Sequence, residues 1–119
     1  MRVLICGDRN WTDRELIKAY LTALKGCAFD VLIEGEARGA DRLSREEALK
    51  LGLQVLRFPA QWDVHGKAAG IIRNQQMLVE GKPDLVVAFH HNLSQSKGTK
   101  DMVWRAKKAG VPVVVEDGN

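Results

Sequence analysis

Cysteine, proline and tyrosine are scarce in this chain, with 2, 3 and 1 copies. Two cysteines cannot build the multi-bridge scaffold of a small secreted domain. Cys6 lies inside an apolar run and Cys27 just past a helical stretch, a spacing that suggests neither a staple nor a metal pair. Both are expected to be reduced thiols. Long apolar runs are missing too: none approaches the roughly 18 to 20 residues that cross a bilayer. The first residues read as a strand rather than as a basic, cleavable leader, so a soluble, cytoplasmic protein away from the membrane is expected. Charge of one sign is also lacking, since 18 Lys and Arg stand against 15 Asp and Glu for a net of +3. That small excess suits phosphate better than a long duplex, because duplex-binding domains concentrate a larger positive charge on one face. Internal repeats, low-complexity stretches and linker-like composition do not occur.

What is present has the balance of a packed domain, with 45% hydrophobic and 28% charged residues over 119 positions. That length supports one core and is short for two, so a single domain over 1–119 is expected. Short runs rich in Val, Ile and Leu recur at Arg2 to Cys6, Asp30 to Ile33, Leu53 to Phe58, Asp84 to Phe89 and Pro112 to Val115. The second, fourth and fifth are nearly continuous in apolar character, the pattern of strands buried on both faces of a parallel sheet.

Between the runs lie stretches of helical periodicity. In Thr12 to Lys25, Leu16, Ile17, Tyr20, Leu21 and Leu24 share one side, and Thr12 with Glu15 forms a capping-box pattern. Further helices are predicted over Ala40 to Leu51 with Gly52 ending it, Lys67 to Glu80 with Gly81 ending it, and Thr99 to Ala109 with Gly110 and Pro112 beyond. Strict alternation of strand and helix implies right-handed β-α-β units. The fold class is α/β: a Rossmann-like open parallel sheet, order 3-2-1-4-5, with helices on both faces. Ligands of such sheets bind outside the carboxyl ends of the strands, where the winding reverses. The rule selects the loops Gly7 to Trp11, Gly35 to Asp41, Pro59 to Gly66 and His90 to Gly98.

Each of these loops leads into a helix start, where backbone N–H groups and the helix dipole attract anions. Gly7-Asp8-Arg9-Asn10-Trp11 offers a permissive glycine, a guanidinium suited to phosphate and an aromatic face. Trp11 could stack a base, although core packing is the commoner use of a lone tryptophan. Gly35-Glu36-Ala37-Arg38-Gly39-Ala40-Asp41 brackets its turn with glycines that serve either close approach to a ligand or turn geometry alone. It does not match G-x-G-x-x-G. Gly66-Lys67-Ala68-Ala69-Gly70-Ile71-Ile72-Arg73-Asn74 begins like a phosphate loop, but Ala68 stands where a magnesium-holding hydroxyl would be needed. Arg73 and Asn74 remain as either site groups or a solvated helix face. Ser96-Lys97-Gly98-Thr99 is an anion nest or a plain cap. His90 and His91 lack a carboxylate or cysteine that would complete a metal set, so neither a metal nor a cofactor is expected.

The G-x-R-x-W turn, G-x-A-R-G-A-D, Trp62 with G-K-A-A-G-x-x-R-N, and the late Gly98-Thr99 together resemble the YspA-like branch of the SLOG superfamily over nearly the whole chain. That Rossmann-like group includes the LOG nucleotide phosphoribohydrolases, the DprA DNA-processing proteins and ligand-sensing domains of defence systems. The resemblance therefore implies a site location and not one reaction. In the LOG enzymes an arginine on the third helix and a glutamate after P-G-G-x-G-T act on the nucleotide. Arg73 looks like the first. The place of the second falls on Met102, with Asp101 one residue early, and a helix turns about 100° per residue.

Three functions follow as expectations. The leading one is binding or sensing of a nucleotide or nucleotide-derived ligand by Gly7, Arg9, Trp11, Gly35, Arg38, Gly39, Asp41, Lys67, Arg73, Asn74, Gly98 and Thr99. The second is hydrolysis of a nucleotide N-glycosidic bond, with Arg73 and Asp101 as catalytic groups and Glu36 and Asp41 as reserve carboxylates. The third is single-stranded DNA binding along a basic fourth helix carrying Lys97, Lys100, Arg105, Lys107 and Lys108. Self-association through exposed sheet edges is possible on this architecture.

Overall fold

In the computed structural model, which describes residues 1–118, the apolar runs form one five-stranded sheet, all parallel, in the order β3-β2-β1-β4-β5. The strands are β1 (Arg2–Gly7), β2 (Val31–Glu34), β3 (Gln54–Arg57), β4 (Leu85–Phe89) and β5 (Val113–Glu116). β1 takes the centre because both its faces are apolar: Val3, Leu4 and Ile5 have no exposed surface. Val3 sits opposite Leu32 on one side and Leu85 on the other.

Alternation along β1 divides the core. Val3 and Ile5 pack with Leu32, Phe89 and the apolar sides of α1 (Arg14–Lys25) and α2 (Ala40–Lys50). Leu4 and Cys6 point the other way, against Ile33, Val86 and residues of two helices that follow β3 and β4. Those helices are α4 (Ala69–Gly81) and α5 (Gly98–Lys108), and a one-turn helix α3 (Trp62–His65) with a 3₁₀ turn (Gly66–Ala68) precedes α4. The winding therefore reverses between β1 and β4, and the crevice this creates opens beyond Gly7 and Phe89. Among the described residues, no helix is long and apolar enough to cross a membrane.

Several local expectations are corrected. Asp13, not Thr12, caps α1, its carboxylate accepting from the Leu16 N–H at 3.1 Å. The helix starts later because Trp11 is drawn into the core, its indole N–H donating to the Asp13 carbonyl at 3.0 Å. Gly81 does not end its helix. It is the last helical residue, where an added Cβ would stand 3.1 Å from Ile33 Cδ1, and Lys82 takes the left-handed cap at φ 51°. Lys67 lies outside the long helix, on the 3₁₀ turn. The fifth strand is not buried on both faces: it pairs only with β4, and Val114 and Val115 are 40% and 41% exposed. Five strands are wider than the helices on either side can roof, so the edge strands stay half covered.

Gly39, just before α2, joins the first two loops. Its φ is +77°, and a Cβ on it would run into the carbonyl oxygens of Asp8 and Arg9. The Asp8 carbonyl accepts there from Ala40 N–H at 3.2 Å and from Trp11 N–H at 3.1 Å. Gly52 has nearly the same φ, +76°, with nothing near its missing side chain. Gly39→Ala is therefore expected to lose about 3 kcal/mol and Gly52→Ala about 1 kcal/mol, since only the first adds a backbone collision to the conformational cost. Urea denaturation of both variants checks this, and equal losses would remove the collision from the account.

Candidate functional site

The crevice is a hollow of about 350 Å³ whose floor is Cys6 and Gly7 at the end of β1. Gly7 is required by close approach, because a Cβ there would collide with the Phe89 carbonyl and come within 2.8 Å of Ala40 Cβ. One wall comes from the loop and start of α2, with Ala37, Arg38 and Asp41, and the opposite wall from Arg73 and Asn74 on α4. Ser96 to Thr99, opening α5, close the third side, while Asp8, Arg9, Asn10 and His90 form the rim.

A line of hydrogen bonds ties the walls together. Arg73 Nη1 donates to the Gly35 carbonyl at 2.5 Å and Nε to Asn74 Oδ1 at 3.2 Å. Asn74 Nδ2 in turn donates to the Gly98 carbonyl and to Asp101 Oδ2, each at 3.1 Å. Gly35 lacks a side chain because the Arg73 guanidinium occupies that space. At the start of α5 the Ser96 hydroxyl accepts from Thr99 N–H at 3.0 Å, and Gly98 has nothing near its missing side chain. Gly98 is exposed and is one of the residues that line the hollow.

Beneath this rim two carboxyl groups are buried, Asp41 at 5% and Glu34 at 0% exposure. Asp41 accepts from the N–H groups of Gly35 and Ala37 at 3.2 and 3.3 Å. Glu34 Oε2 accepts from Glu36 N–H at 2.6 Å, while its buried Oε1 has no partner among the described residues. Loss of hydration pushes Asp41 up to about 6, the Arg73 charge and the backbone bonds opposing it. The same cause pushes Glu34 up to about 7, with the Asp41 charge adding to the rise. Burial also raises the Cys6 thiol far above its ordinary range, so the floor of the hollow is a neutral, unreactive sulfur. Around the rim the opposite holds. Among the described residues, Arg9, Arg38 and Lys97 are exposed and make neither an ion pair nor a side-chain hydrogen bond.

Of the residues singled out from the sequence, Gly7, Arg9, Arg38, Asp41, Arg73, Asn74, Gly98 and Thr99 converge on this hollow. Gly35 and Gly39 stand behind it, one under Arg73 and the other against the first loop. Trp11 is 1% exposed, stacked on His91 with centroids 4.4 Å apart and tilted against Phe89 at 5.4 Å, which leaves no face for a base. Lys67 is exposed and lines no part of the hollow. Asp101 does not line it either; its carboxylate accepts from Asn74 and, at 2.8 Å, from Arg105 Nε.

Sequence reading overlooked Asp8, Asn10, Glu34 and the disposition of His90. His90 Nδ1 accepts from Asn92 N–H at 3.0 Å, which leaves the ring proton on Nε2, 3.9 Å from Asp8 Oδ2. Glu34 did carry a signal, an acid closing an otherwise apolar run, V-L-I-E. Among the described residues no group of three or more His, Cys, Asp and Glu side chains could hold a metal.

The buried carboxyls make stability depend on pH. Both have folded pKa values above their unfolded ones, so their protonated forms are favoured by folding and the cost grows as pH rises through about 4 to 7. The protein is expected to be a few kcal/mol more stable near pH 5 than near pH 8 on account of this pair. Glu34→Gln should flatten that slope by about half, as read from urea denaturation at several pH values; an unchanged slope would mean that Glu34 is not held protonated.

Comparison with known proteins agrees with this architecture. The model of the family described as YspA, cpYpsA-related SLOG family (YAcAr) matches residues 1–65. The chain is similar to the Gene 61 protein of Mycobacterium phage D29, 37% identical over 122 residues that cover 95% of this chain and 94% of that protein. In structure it resembles DNA processing protein A (DprA) of Streptococcus pneumoniae, with a TM-score of 0.58 at 15% identity. That likeness covers 98% of this chain and 59% of the other, so the chain spans about three fifths of that protein's length and shares the fold of that part. With five parallel strands in the order 3-2-1-4-5 and the glycine-bracketed loops after β1 and β2 inside the matched residues, the chain belongs to the YspA, cpYpsA-related SLOG family.

Proposed function

We propose that the hollow binds a nucleotide or nucleotide-derived ligand through its phosphate. The observation that carries this is the set of uncommitted cations, Arg9, Arg38 and Lys97, around a helix start whose Gly98 faces open space. Cations without partners are poised to exchange water for an anion, and the N-terminus of α5 adds its dipole. Arg73, held in place by Gly35 and Asn74, supplies a fixed guanidinium in the same wall. Membership of the SLOG family supports a nucleotide-related role. Asp41 and Asn74 line the same hollow, and their side chains, already bonded to Gly35, Ala37, Arg73, Gly98 and Asp101, brace its walls.

Hydrolysis of an N-glycosidic bond is the weaker reading, because it needs a carboxylate free to face the sugar. Asp101 is engaged by Asn74 and Arg105, Asp41 is buried and raised towards its neutral form, and Asp8 on the rim is turned back to the Asn10 N–H and towards His90. The fold neighbour's name, a DNA processing protein, brings single-stranded DNA as a further alternative.

A thermal-shift and calorimetric screen against nucleoside mono-, di- and triphosphates, with analysis for released base, tests the reading. Stabilisation without base release is expected. Arg9→Ala should weaken the best ligand about tenfold while leaving Tm unchanged, since Arg9 is exposed and lacks internal partners. Gly98→Ala should keep the fold, since a methyl group there meets no protein atom, and weaken binding by adding bulk to a residue that lines the hollow. Tighter retention of an oligonucleotide than of any mononucleotide would replace the reading with the DNA one, and released base would replace it with the glycosidase.

A further inference from the structure

Beside the first hollow lies a second of about 540 Å³, and the two share Arg9, Ala37, Arg38 and Arg73 as a common wall. Its far side is Pro59, Ala60 and Trp62. Trp62 opens α3 and is 50% exposed, and it belongs to neither core cluster. The edge of the ring reaches Gly70: a Cβ there would stand 3.6 Å from Trp62 Cη2 and 4.0 Å from Arg73 Nη2. Trp62 and the Arg73 guanidinium therefore meet across a position that has no side chain.

The other tryptophans do not share this setting. Trp11 is sealed in the core, and Trp104, though 57% exposed, carries the Lys108 ammonium 4.8 Å from its ring in a groove between α4 and α5 that has no residue in common with either hollow. Leaving half an indole in water contributes nothing to folding. A half-exposed indole in a hollow that three arginines also line is an environment in which a flat, polarisable base stacks, with cation–π attraction between base and guanidinium.

We propose that Trp62 is the stacking platform for the base of the ligand, so that the ligand is a nucleoside phosphate whose phosphate fills the first hollow and whose base lies in the second, across Arg73. This rests on the phosphate-binding reading above and adds to it the location and aromatic nature of the other end of the ligand.

The test uses tryptophan fluorescence in a Trp104→Phe background, where the buried Trp11 is a constant and quenching reports Trp62. Adenosine and guanosine monophosphates are titrated beside ribose phosphate. The nucleotides are expected to quench, and ribose phosphate to compete with them without quenching. Trp62→Ala should weaken nucleotide binding about tenfold and leave ribose phosphate binding unchanged, while Trp62→Phe retains most of the affinity. Nucleotide affinity unchanged in Trp62→Ala but lowered in Arg9→Ala would overturn the platform and spare the phosphate site. Wild-type protein that binds neither nucleotide nor ribose phosphate would overturn both.

Discussion

Where Gly7 lacks a Cβ, three segments meet: the end of β1, the carbonyl of Phe89 at the end of β4, and Ala40 at the start of α2. The Asp8 N–H donates to that same Phe89 carbonyl at 2.8 Å, so the turn out of β1 is laid directly across the neighbouring strand. This approach sets the depth of the crevice. With a side chain at Gly7, β4 or α2 would have to withdraw, and Asp8, Arg9 and Ala40 would lose their shared contacts with Gly39. The reversal of winding supplies an opening between β1 and β4, but it is the missing methyl that lets the loops close around it to a ligand-sized volume.

Charge is arranged in layers about that opening. The acids Asp41 and Glu34 are kept inside, where lost hydration favours their neutral forms, and the cations Arg9, Arg38 and Lys97 are kept outside without partners. Had ionised Asp41 reached the rim, it would have cancelled an arginine and weakened any anion in the hollow. Its backbone bonds to Gly35 and Ala37 instead brace the loop that carries Arg38. The stability lost by burying acids is thus exchanged for a rim on which Arg9, Arg38 and Lys97 outnumber one acid, Asp8, an arrangement often found where a protein holds a ligand rather than only its own core.

Strand order and helix placement were legible in the sequence because burial leaves a periodic trace: V-L-I and L-V-V-A-F can only be roofed on both faces. The loops that form the hollow were legible because the winding rule depends on order alone. What escaped were features decided by tertiary partners. Trp11 and Trp62 are alike in the sequence, each beside a helix start, yet one sits in the core against Phe89 and the other opens to a hollow. Asp101 stands near a motif in the sequence, but its carboxylate is taken up by Asn74 and Arg105, partners 27 and 4 positions away. The cap at Asp13 instead of Thr12 likewise depended on the pull of Trp11 into the core.

Arg73 differs from the other cations of the rim in how it would act on a ligand. Its Nη1 and Nε are committed to Gly35 and Asn74, which fixes the plane of the guanidinium and leaves its remaining edge toward the hollows. Arg9 and Arg38 are free in solution and lose rotamer entropy, on the order of 1 kcal/mol each, when they fold onto an anion. Arg73 has already lost that freedom during folding, so its contact with a ligand is worth more per hydrogen bond. Because Asn74 also binds the Gly98 carbonyl and Asp101, a shift of α5 towards or away from an anion would be felt at Arg73 through one amide. Arg73 is consequently the most constrained cation of the wall that the two hollows share, and Arg9 and Arg38 are the ones that must order themselves on an anion.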